Sequence, residues 1–142
     1  MESTDPRPSS RPFLITARVF AVATVLVIVG LFGTAGALVQ AGELKEVHGA
    51  AAIVLHVVSG GLMVALAGLA YSRQSGWWAA VVAGVVFVYS FVQAALGEGT
   101  TLAIHVPGSL LIVAGTIWLT GWLFSSAAAV PEGASPGVDP TR

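Results

Sequence analysis

The chain has 142 residues, 56% of them hydrophobic and only 9% charged, with a net charge of −1 and a mean hydropathy of +0.87. A water-soluble domain covers itself with about a quarter charged residues, so this surface is built to face lipid. The near-neutral balance and the lack of a basic run leave no nucleic-acid partner, and the absence of cysteine excludes disulfides, thiolate metal sites and cysteine nucleophiles.

Residues 1–12, MESTDPRPSSRP, are rich in proline and serine and predict a disordered cytoplasmic N-terminus. An uncharged run over 19–39 follows Arg7, Arg11 and Arg18 and predicts a first helix over about 13–39. That order fits a signal peptide, but the run exceeds the 7–15 apolar residues of a signal core and reads as a retained span. Further uncharged runs predict helices over about 47–72, 77–96 and 101–124, joined by short connections at Glu43, at Arg73–Gly76 and at Glu98. The tail 125–142, with Pro131, Pro136 and Pro140, predicts a second disordered cytoplasmic segment.

Each helix reaches the roughly 20 apolar residues that cross a hydrocarbon core, where the backbone must hydrogen-bond to itself. The fold expected is all-α: a four-transmembrane-helix bundle of two hairpins, repeated in parallel sense. Arg7, Arg11, Arg18 and Arg73 gather at one end and Glu43, Glu46 and Glu98 at the other, which predicts a multi-pass cell-membrane protein with both termini cytoplasmic. Trp77, Trp78, Trp118 and Trp122 suit the interface at the basic end. Gly30, Gly33 and Gly36 form a stripe on helix 1 that predicts close helix packing.

The two hairpins share a succession of residues. Val39-Gln40-Ala41, Gly42-Glu43 and His48 in the first recur as Val92-Gln93-Ala94, Gly97-Glu98 and His105 in the second. Both histidines then sit near the outer start of a helix, on helices 2 and 4, where two imidazoles meeting across a bundle suit the axial ligation of a haem iron. Gln40 and Gln93 lie at the same end and are candidates to hold the free imidazole nitrogens or the cofactor's edge. His56 is eight residues past His48, about 12 Å deeper and rotated by roughly 80°. It reads as a buried histidine bonded across helices to Gln93 or Tyr89, as an alternative ligand to His48, or as part of a proton path. No P-loop, catalytic triad or carboxylate pair is present, so the sequence offers no catalytic residue and leaves the question of an enzyme open.

On Glu46-Val47-His48, Gln93-Ala94-Ala95-Leu96-Gly97 and His105, residues 43–120 resemble one four-helix half of the haem A synthase family. His105-Val106-Pro107-Gly108 is also similar to a segment of small uncharacterised four-helix bacterial membrane proteins. Gly49 stands where the synthase family carries an arginine. The first resemblance implies haem ligands at His48 and His105, and a homodimer or other membrane partner where the family joins two bundles. The leading expectation is a b-type haem between helices 2 and 4 for electron transfer near the outer face. The alternatives are a haem-free accessory or assembly subunit of a larger complex, and a small transporter.

Overall fold

The computed structural model describes residues 9–97, 99–125 and 128. Among them it has four long helices: α1 (Ser10–Ala41), α2 (Lys45–Arg73), α3 (Trp77–Leu96) and α4 (Leu102–Phe124), with one 3₁₀ turn, Gly99–Thr101, before α4. All four are long and apolar enough to cross a membrane. α1 starts three residues earlier than the sequence suggests, because Ser9 caps it and accepts the Arg11 amide. The rest of the N-terminal stretch, Glu98 and most of the C-terminal tail lie outside the described residues. Ala128, within that tail, is buried and its carbonyl accepts Nη1 of Arg73 at 2.7 Å.

Each helix packs against its chain neighbours, and α4 closes the ring on α1, so α2 and α4 stand on one diagonal and α1 and α3 on the other. Three-residue turns join α1 to α2 and α2 to α3, and a five-residue link, 97–101, joins α3 to α4, so successive helices are antiparallel. Gly42, in the left-handed region at φ 71°, ends α1 by returning its amide to Leu38, and Gly76, at φ 76°, precedes α3. We call the end with the α2–α3 turn the inner end and the opposite end the outer.

In lipid, burying apolar surface drives helices together weakly, so shape complementarity has to hold the bundle. It does so by placing aromatic side chains against glycines. Phe13 lies on Gly68 and Phe20 on Gly61, two turns apart on both helices, which locks the α1–α2 register; a methyl group at Gly61 would sit 2.5 Å from the Phe20 ring. Phe87 on Gly60 and Met63 on Gly84 do the same for α2 and α3, and Val86 on Gly115 for α3 and α4. The Gly30, Gly33 and Gly36 stripe does not take this role: all three are exposed and nothing lies within 4 Å of where a side chain would start. Its spacing is right for close packing, but the neighbouring helices approach α1 from its other faces.

Most buried hydroxyls are satisfied locally. Thr24, Ser59 and Ser90, and the half-buried Thr120, each return a proton to a carbonyl three or four residues back, at 2.6–2.7 Å, whereas the Thr116 hydroxyl is buried without a partner. The inner half is filled by Ala17, Ala21, Leu62, Leu66, Leu69, Ala83, Leu119 and Leu123. A second, smaller core cluster above it takes one residue from each helix: Ile28, Leu55, Val86 and Ile112.

The packing predicts a contrast between two glycines. Gly61→Val should lower stability by about 1–3 kcal/mol or prevent folding, because Phe20 has to leave its place. Gly33→Ala should leave the melting temperature in detergent unchanged.

Candidate functional site

The stripe that builds the core continues outward and changes character. Seven residues further out than Ile28, Leu55, Val86 and Ile112, on the same face of each helix, stand Ala35, His48, Gln93 and His105. An apolar set is thus followed by one of Ala, His, Gln and His, with the histidines on one diagonal and the alanine and glutamine on the other. Each histidine is the fourth residue of its helix.

The heights follow from the register. Phe91 lies against His56, and Gln93 against Gly108. Counting from these pairs, His105 is level with Ala51 of α2. His48 is then about 4.5 Å nearer the outer end and His56 about 7.5 Å nearer the middle, at 1.5 Å per residue. The two terminal histidines lie within about one turn of each other, and His56 lies apart from both.

Both outer rings are held by the other helix of their own hairpin. Nδ1 of His105 lies 2.9 Å from the backbone oxygen of Gln93. A carbonyl only accepts, so Nδ1 carries the proton and the neutral ring keeps its lone pair on Nε2. Nδ1 of His48 lies 2.9 Å from Oγ1 of Thr34, which itself reaches the carbonyls of Gly30 at 3.0 Å and Leu31 at 3.1 Å. With its one proton turned to those carbonyls, Thr34 accepts from the His48 Nδ1–H. His48 then also presents a bare Nε2. A metal-ligating histidine has this arrangement, one nitrogen fixed by a carbonyl or hydroxyl and the other offered. Both rings are half-buried.

Gln93 is 4% exposed, and both atoms of its amide lack a hydrogen-bond partner. It lies beside Gly108, where a methyl group would clash with its Nε2 and would come within 2.7 Å of the Tyr89 hydroxyl. Gly108 is the notch in α4 that admits both polar groups. A buried amide with neither atom bonded costs several kcal/mol in an apolar medium unless something meets it. Among the described residues, no three His, Asp or Glu side chains form a protein-only metal cluster.

The other sequence candidates fall elsewhere. Gln40 is exposed at the end of α1 and holds neither ring; Thr34 takes that place. His56 faces α3 rather than the axis and bonds neither Gln93 nor Tyr89. It stacks on Phe91, with centroids 3.9 Å apart and planes 10° apart, and its Nε2 is buried without a partner. Thr34 and Ala35 are missed by sequence reasoning, since their proximity to His48 depends on the α1–α2 register. The heptad spacing from buried residues was the signal available for Ala35.

No protein-family model matches the chain, and neither a curated protein nor a solved structure is similar to it. The site therefore rests on its own geometry.

Two outcomes follow. Side-chain ¹⁵N NMR should find His48 and His105 in the Nδ1–H tautomer, with Thr34→Val releasing His48 alone to a mixture. Gln93→Leu should stabilise the cofactor-free protein by about 1–3 kcal/mol, the cost of leaving a buried polar group unpaired. A lower melting temperature would mean that the amide has a partner within the chain.

Proposed function

We propose that the chain is an integral membrane electron carrier holding one b-type haem in the outer part of the bundle, with His48 and His105 as axial ligands. The observation that carries this reading is the replacement of an apolar core set by Ala35, His48, Gln93 and His105 one heptad further out. An iron porphyrin supplies reversible one-electron chemistry and brings four nitrogens of its own, so it needs two more donors from the protein.

The residues present fit that demand. The helices of one diagonal, α2 and α4, carry one imidazole each. Thr34 and the Gln93 carbonyl fix the ring orientation, so the lone pairs do not have to be recruited from protonated nitrogens. Ala35 puts only a methyl group at the corresponding position of α1. Gln93 offers an amide donor and acceptor on the other, where a polar group of the cofactor would relieve its unpaired burial. An iron porphyrin held by both imidazoles would have no coordination position left for a substrate, which favours electron transfer over catalysis.

The basic residues Arg7, Arg11, Arg18 and Arg73 support an inner end that faces the cytoplasm, with both termini there and the histidines near the outer face of the cell membrane. Resemblance to half of a haem A synthase agrees with the ligand choice and suggests that a second copy or another membrane protein completes the assembly. One observation favours a second reading, a haem-free accessory subunit: the exposed Gly30, Gly33 and Gly36 face of α1 is suited to close docking of another helix.

Purified from haem-replete cells, the protein should carry a pigment whose visible bands shift on reduction. His48→Ala and His105→Ala should each lose it, and His56→Ala should keep it. A colourless wild-type protein that co-purifies with a partner through the Gly33 face would select the accessory reading instead.

A further inference from the structure

Arg18 lies eight residues inside α1, in a helix otherwise uncharged from there to its end, and the structure shows what it does. Its Nε donates to the carbonyl of Leu123 at 2.9 Å, meeting one of the open carbonyls at the C-terminus of α4, and its guanidinium sits 5.2 Å above the ring of Phe124. The side chain is half-buried, and the group is held by a hydrogen bond at Nε and an aromatic face. Among the described residues, nothing bonds the two terminal nitrogens. They form a planar, pre-oriented fork of N–H donors, the geometry that matches a phosphate.

Arg11 stands seven residues earlier, on the same face of α1 and nearer the inner end, exposed and with no side-chain hydrogen bond or ion pair among the described residues. The inner end carries Arg11, Arg18 and Arg73 and, among the described residues, no acidic side chain. Arg73 is committed differently, to the carbonyl of Ala128. The two cations free to face outward therefore share one corner of the bundle, where α1 meets α4.

We propose that this corner is a binding site for an anionic phospholipid, with the headgroup phosphate held between the guanidinium groups of Arg18 and Arg11. Charge complementarity names the occupant: two cations with no counter-charge among the described residues favour a headgroup of net negative charge over a zwitterionic one. Leu123 and Phe124 place the site at the end of α4, at the depth of the lipid headgroups, and the apolar faces of α1 and α4 run away from it along the acyl chains. The site lies at the opposite end of the bundle from the histidines and does not depend on any cofactor.

Native mass spectrometry of the full chain in detergent, titrated with phosphatidylglycerol or phosphatidylcholine, tests it. The wild-type protein should retain one phosphatidylglycerol well above phosphatidylcholine. Arg11→Gln, which disturbs no contact of the fold, should lower that preference about fivefold, the effect of one basic group near an anionic surface. Arg11→Gln with Arg18→Gln should abolish the preference while phosphatidylcholine binding is unchanged. Equal binding of the two lipids by the wild type, or a preference untouched in Arg11→Gln, would overturn the proposal. Displacement of the lipid by millimolar inorganic phosphate would overturn it too, by showing a site for the free ion.

Discussion

Inside hydrocarbon there is no water to satisfy a polar atom, and that constraint orders everything notable in this bundle. Most buried hydroxyls obey it by bonding to a carbonyl one turn back, at almost no cost to helix packing. The imidazoles of His48 and His105 obey it halfway, with one nitrogen fixed and the other bare. The Gln93 amide does not obey it at all. These three side chains occupy corresponding positions on three helices; His56 Nε2, Thr116 Oγ1 and Arg73 Nε are also buried without a partner, at other levels of the bundle.

That layer is positioned by contacts far from it. The Phe13–Gly68 and Phe20–Gly61 pairs set α1 against α2 and so carry Thr34 to the His48 ring. Val86 on Gly115 and Gln93 on Gly108 set α3 against α4 and so bring the Gln93 carbonyl to His105. The inner half of the molecule is thus a clamp in which rings pack on bare backbone. The outer half inherits its register, although it carries histidine where the inner half has Leu62 and Leu119 and glutamine where the inner half has Ala79.

The sequence shows the four spans well because length and charge decide them: helix 3 is placed to the residue, the start of α1 moves three residues where Ser9 caps it, and the other ends move by no more than two residues. The histidine pair is legible from the repeated Val-Gln-Ala, Gly-Glu, His order, and the structure puts both at the fourth position of a helix. Which neighbours hold them is not legible. Gln40 looks as good as Gln93 in the text, but one residue ends exposed and the other buried, because helix rotation is fixed by the glycine contacts. The Gly30, Gly33 and Gly36 spacing misleads for the same reason: a stripe announces that close approach is possible, not which face is used. His56 is placed by an aromatic partner, Phe91, that no polar reasoning would select.

The proposed haem site requires His48 and His105 to flank one space across the bundle axis, with His56 outside it. The chain contains no cysteine, so pairs of thiols can be introduced without background. Diagonal helices in a bundle whose neighbours pack at 8–10 Å stand about 11–14 Å apart, within reach of a short bis-maleimide. Cross-linking the full chain in membranes should join His48→Cys to His105→Cys within one molecule and leave His56→Cys with His105→Cys unjoined. The reverse pattern would contradict the arrangement.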